Sequence, residues 1–131
     1  MAALVDTSVA VRYLVGDDAR LAAAAAAIIE SDEPLVIPPV ALAETAYVLA
    51  AVYEVPREAV VDALIRFIQR RNVEVGSLPK ARVLEALLLC RPSGRVSFAD
   101  ALIWAEARAG GVPLYTLDER FPERGVRVVR P

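Results

Sequence analysis

Histidine is absent from the 131 residues and cysteine occurs once. Without histidine there is no Ser-His-Asp triad, no histidine-ligated zinc and no imidazole general base. Any catalysis must rest on carboxylates, hydroxyls, Lys80, arginines or a metal held by oxygen. The single thiol, Cys90, excludes an intrachain disulfide. It follows Leu87, Leu88 and Leu89, has no base to activate it, and reads as a core residue. No apolar stretch runs long enough without a charge or proline to span a bilayer. Met1 to Asp6 reaches an acid at once and has no basic leader, so no signal peptide is expected and a cytoplasmic location is. A Gly-rich run ending in Gly-Lys-Ser/Thr is also missing, which excludes a P-loop.

What is present suits one compact domain spanning residues 1–131: 56% hydrophobic residues and 24% charged ones. The net charge is −2. A chain of that balance does not bind nucleic acid through its whole surface, although a local basic patch beside an acidic pocket remains open. Nearly all its cations are arginines, which hold phosphates in bidentate fashion.

Short apolar runs alternate with helical patterns along the chain. Ala2 to Val5 reads as a buried strand, ended by the helix-starting Asp6-Thr7-Ser8. Helices are expected over Val9 to Leu14, from Asp17 to about Glu30, and from about Val40 to Val52 behind Pro38-Pro39. Further helices open at Pro56 and Pro79, and one runs from Ser97 to Ala109 before Gly110-Gly111. Strands are expected at Leu35 to Ile37, Val73 to Val75, Val112 to Leu117 and Val126 to Val129. This alternation predicts an α/β domain whose parallel sheet is covered by helices.

Four acids stand out. Asp6 and Asp118 each follow a strand directly, and ligands of open parallel sheets bind at the carboxyl ends of strands. Both acids are therefore expected at one edge of the sheet. Glu44 shares a helical face with Val40, Tyr47, Val48 and Ala51, so an acid interrupts an apolar stripe and is expected to have a cation partner. Asp100 leads the stripe Ile103, Trp104 and Ala107. Plainer roles exist for each. Asp6 and Asp118 suit helix N-caps, Asp100 suits a capping box with Ser97, and Glu44 suits a buried ion pair. Taken together, four such acids without histidine suit a hard, oxygen-loving cation, Mg²⁺ or Mn²⁺. The chemistry open to an acidic site of that kind is chiefly phosphoryl transfer.

The motifs around these acids resemble those of PIN domains. Leu4-Val5-Asp6-Thr7-Ser8 is similar to the first motif and Ala43-Glu44 to the second. Ser97-Phe98-Ala99-Asp100-Ala101-Leu102-Ile103-Trp104 is similar to the third, and Leu114-Tyr115-Thr116-Leu117-Asp118 to the fourth. Order and approximate spacing agree over essentially the whole chain, and its size resembles the VapC-like branch, the toxins of type II toxin–antitoxin systems. The resemblance implies a three-layer α/β/α fold with a central parallel sheet of about four to five strands. It implies that Asp6, Glu44, Asp100 and Asp118 form the acidic quartet that binds Mg²⁺ or Mn²⁺, with Thr7, Ser8 and Thr116 orienting the acids. It further implies cleavage of RNA, a VapB-like antitoxin partner and a homodimer.

Several weaker candidates follow. Glu119 is the one nearby candidate for a further acid and reads as a solvated charge. Arg12, Arg91, Arg95 and Arg120 are candidate phosphate contacts, and Tyr13 and Phe98 candidate base-stacking groups. A PIN-like binding or scaffold module without catalysis is the main alternative. An aspartyl-nucleophile phosphatase would need a second Asp where Ser8 stands. A phosphoacceptor receiver would need a lysine at a strand end, whereas Lys80 opens a helix.

Overall fold

A computed structural model describes residues 1–131. In chain order the elements are β1 (Ala3–Leu4), α1 (Thr7–Val15), α2 (Ala19–Ile29), β2 (Leu35–Ile37), α3 (Pro39–Ala51), α4 (Arg57–Ile68), β3 (Val73–Val75), α5 (Lys80–Cys90), α6 (Phe98–Gly110), β4 (Leu114–Tyr115) and β5 (Val128–Val129). The helix boundaries follow local chemistry. Asp6, Asp18 and Ser97 cap α1, α2 and α6 through their side chains, and Gly16 and Gly111 end α1 and α6 in the left-handed conformation. Three other helices, α3, α4 and α5, start behind Pro38, Pro56 and Pro79 with no side-chain cap.

All five strands pair in parallel, as the alternating pattern predicted, but they form two sheets instead of one. β1, β2 and β3 make a three-stranded sheet in that order, and β4 pairs only with β5. Ala3 lies opposite Leu35, and Leu35 opposite Val73. In the second sheet Leu114 lies opposite Val128.

The division corrects the reading of Ala2 to Val5 as a buried strand. β1 bonds on one side only, through the amides of Ala3 and Val5 to the carbonyls of Pro34 and Val36. Its other edge is open, and Leu4 is 75% exposed, while Val5 just beyond it is buried. β4 is likewise bonded on one side, through the amides of Leu114 and Thr116, and its side chain Tyr115 is exposed.

The core is one continuous apolar cluster. β2 and β3 contribute Leu35, Ile37, Val73 and Val75, and α4 contributes Val60, Val61, Leu64, Phe67 and Ile68. The β4–β5 ribbon is anchored to the same core by Leu114, Phe121 and Val126. Trp104 of α6, almost fully buried, donates from its indole nitrogen to the Arg124 carbonyl at 2.9 Å and so ties α6 to that ribbon. Arg57, at the start of α4, donates to the carbonyls of Cys90 and Val96 and lies 4.6 Å from the centre of the Phe98 ring. One side chain thereby fixes the turn between α5 and α6.

Gly76 closes β3. Its φ is +53°, and a Cβ there would stand 2.9 Å from Cδ of Pro39. The first residue of α3 thus rests directly on the end of β3, and only glycine permits that contact.

Candidate active site

Asp6 is placed by the end of β1 and the start of α1. Its Oδ1 accepts from the Ser8 hydroxyl at 2.6 Å and from the Val9 amide at 3.2 Å. The N-cap role and the role of Ser8 as a support for this acid are therefore both realised. These bonds, the Ser8 hydroxyl foremost, hold the Asp6 carboxyl below the usual carboxylate range. Asp6 stays ionised and exposed at neutral pH, which is the state a cation or a reacting water would meet.

A cleft of about 540 Å³ opens beside it. The turn from Leu4 to Val9 forms one wall, and Pro38, Val40, Ala41 and Glu44 form the other. The cleft therefore lies past the carboxyl ends of β1 and β2, where ligands of parallel sheets sit. Two of the four sequence-predicted acids, Asp6 and Glu44, share it, together with Thr7 and Ser8.

Glu44 does not face the core. The buried residues of α3 are Ala41, Leu42, Thr45, Ala46 and Leu49, a stripe that passes beside Glu44. Val40 and Tyr47, the neighbours that made it look core-facing, are themselves largely exposed. The only polar residue inside the stripe, Thr45, satisfies itself by donating to the Ala41 carbonyl at 2.7 Å. Consequently Glu44 needs no cation partner, and none is paired with it.

Asp100 sits in the first turn of α6. Its amide donates to the Ser97 hydroxyl at 3.0 Å, which makes Ser97 the cap and leaves the Asp100 carboxylate free of intrachain hydrogen bonds. Its helix packs against α3, and Ala99, Leu102 and Ile103 meet Pro39, Val40 and Ala43 across a small apolar groove. Of the stripe it leads, Trp104 and Ala107 are buried but Ile103 is exposed.

Asp118 follows β4 as expected, but β4 belongs to the second sheet, so Asp6 and Asp118 do not share one sheet edge. One oxygen of the exposed Asp118 carboxylate is held locally. It accepts from the Arg120 amide at 2.8 Å, while the Thr116 hydroxyl accepts from the Asp118 amide at 3.0 Å. Thr116 thus supports Asp118 through the backbone. Arg130 closes this turn from the other side by donating to the carbonyls of Asp118, Glu119 and Phe121 and pairing with Glu123. Glu119 is exposed, as a solvated charge would be.

The donor chemistry is that of a hard cation, but the arrangement is not a finished metal centre. No three acids or cysteines come together as a group able to hold a metal ion. Asp6 and Glu44 line the cleft, and Asp100 and Asp118 do not.

The arginine candidates divide as well. Arg12 pairs with Asp17 at 3.0 Å. Arg91 grips Asp62 with two bonds of 3.0 Å and reaches Glu58. That grip holds the Asp62 carboxyl below its ordinary range. Arg95 and Arg120 remain exposed and unpaired. Tyr13 packs against Phe67, with ring centres 6.0 Å apart, and Phe98 is buried beneath Arg57, so both serve packing.

Short parallel strands, covering helices and an acidic cleft past the strand ends define the class: a small α/β protein with its site at the strand termini. The particular family follows from comparison. The PIN domain family matches residues 3–126, and the chain belongs to it. PIN domains are in general nucleases that use divalent metal ions. No curated protein matches the chain. No helix is long and apolar enough to cross a membrane.

Proposed function

We propose that this protein is a Mg²⁺- or Mn²⁺-dependent endoribonuclease, the toxin of a VapBC-like pair. The observation that carries the reading is the cleft shared by Asp6 and Glu44 in a PIN domain that also keeps Asp100 and Asp118 at the motif positions. An ionised Asp6, held by Ser8 and the α1 amide, is suited to hold a cation. A bound divalent ion would supply charge stabilisation at the phosphoryl group. The cognate partner in this reading is a VapB-like antitoxin that covers the cleft, and the protein works as a homodimer.

That no three acids gather as a group able to hold a metal ion favours a second reading, a PIN-like binding module without catalysis. One experiment separates them. Purified protein is incubated with single-stranded RNA and millimolar Mn²⁺ or Mg²⁺, beside Asp6→Asn and Asp100→Asn variants and a chelator control. The nuclease reading expects metal-dependent cleavage that falls at least about 100-fold in each variant while thermal unfolding is unchanged. Cleavage retained in a clean preparation of either variant refutes the site. A wild-type protein that neither binds Mn²⁺ nor cuts supports the binding module.

A further inference from the structure

A second cavity, of about 400 Å³, lies between α1 and the end of α4. Its lining is Tyr13, Leu14, Ala63, Arg66, Phe67 and Arg70. No acid lines it, although the chain as a whole is net negative. Neither arginine enters an ion pair. The Nε of Arg70 is buried with no hydrogen-bond partner. A buried donor left unpaired costs about 1–3 kcal/mol, more when charged, and a native structure rarely carries that cost without a water or ligand to meet it.

The surroundings add positive charge. Arg71 follows directly, and Lys80 donates to the Arg70 carbonyl at 2.8 Å. Arg66 lies in the last turn of α4 and Arg70 two residues beyond its end, and both line the same cavity. The nearest carboxylate on that helix, Asp62, is gripped from the other side by Arg91. The tyrosine hydroxyl of Tyr13 makes no intrachain hydrogen bond and adds a neutral donor.

The position of this cavity relative to the acidic cleft is set by α1. Thr7 and Val9 line the cleft, and Tyr13 and Leu14 line the basic cavity. The two openings thus border opposite ends of α1, with the buried Ala10 and Val11 between them. Thr7 and Tyr13 are separated by roughly 9 Å of helix rise. We infer that the Arg66–Arg70 cavity is a phosphate subsite for a single-stranded nucleic acid. The inference rests on the nuclease reading for the identity of the polymer, but binding is tested apart from cleavage.

The test uses the full chain and a 2′-O-methyl RNA oligomer that resists cleavage, with Kd measured by fluorescence anisotropy across a salt series. Arg66→Gln is expected to weaken binding about threefold to tenfold, and to flatten the slope of log Kd against log salt by about 0.7, the share of one phosphate on a single strand. Arg66→Gln with Arg70→Gln should flatten it by about 1.4. An oligomer with neutral methylphosphonate linkages should bind wild type no better than the double variant does. Unchanged affinity and slope in variants that melt like wild type overturn the subsite. So does failure of wild-type protein to bind the oligomer at low salt. A polyglutamate peptide whose binding follows Arg66 while that of RNA does not would assign the cavity to an acidic protein partner and overturn the inference. Where Arg70→Gln prevents folding, the exposed Arg66→Gln decides alone. Asp6→Asn serves as the comparator, because it should abolish cleavage yet keep the arginine-dependent salt slope. Wild-type protein that binds with that slope but never cuts counts against the nuclease reading and leaves the subsite standing.

Discussion

Two halves of the molecule hold their acids in different ways. In the three-stranded half, Asp6 leans on its own helix: the Ser8 hydroxyl and the Val9 amide point its carboxylate into a cleft that Glu44 also borders. In the two-stranded half, the Asp118 carboxylate turns back onto the Arg120 amide, and Arg130 grips the carbonyls around it. In each acid one carboxylate oxygen is tied to the residues that follow and the other accepts no hydrogen bond. What differs is the setting: Asp6 borders a cleft that Glu44 shares, and Asp118 does not line it.

The largest expected disturbance of this contrast is Gly76→Ala. The added Cβ would meet the Pro39 ring at the start of α3, in a backbone conformation that L side chains rarely adopt. Urea unfolding should show a loss of about 2 kcal/mol, with the three-stranded half carrying it. A stability equal to wild type would mean that α3 is not seated on β3 as described.

Arg130→Ala should act on the other half. It removes donors to three carbonyls and a pairing with Glu123, most of them near the surface, for a cost of about 1 kcal/mol. Amide exchange should quicken from Asp118 to Phe121 and stay unchanged in α1. Equal quickening in both halves would erase the distinction between them.

The smallest effect concerns Cys90, in the helical layer joining the halves. Burial pushes its thiol up to about 11 from an ordinary 9.0, with Arg57 opposing. The folded state keeps the proton longer than the unfolded chain. The stability it contributes is therefore complete below pH 9 and is lost as pH rises through 11. Cys90→Ala should flatten unfolding free energy against pH across that window. A slope identical to wild type would show that the thiol is not buried in the folded protein.

Much of this architecture was readable from the chain. Asp6, Ser97, Gly16 and Gly111 each mark a helix end by the conformation they adopt, and prolines start three more helices. In the three-stranded sheet the parallel pairing followed from helices interposed between strands, whereas β4 and β5 pair in parallel with no helix between them. Two matters were hidden, each for a physical reason. α3 is apolar on nearly every side, so periodicity did not reveal which stripe is buried, and Thr45 rather than Glu44 is the polar residue inside. The division into two sheets was hidden because a short run such as Leu114-Tyr115 specifies that it will pair, not with which edge. Of the candidate arginines, Arg91 was claimed by Asp62, too far along the chain for a local pattern, and Arg12 by Asp17 just past the end of α1. Arg66 and Arg70 drew no notice because nothing in their sequence neighbourhood distinguishes them from a solvated helix end.

The open edges of β1 and β4 have a bearing on how the protein behaves when concentrated. An unpaired strand edge is a template on which another chain can add, and long, flat, apolar edges are where aggregation begins. Here each edge is only two residues long. A run that brief offers an incoming strand too few amides and carbonyls to hold it, so brevity itself guards two exposed margins that carry side chains as greasy as Leu4 and Tyr115.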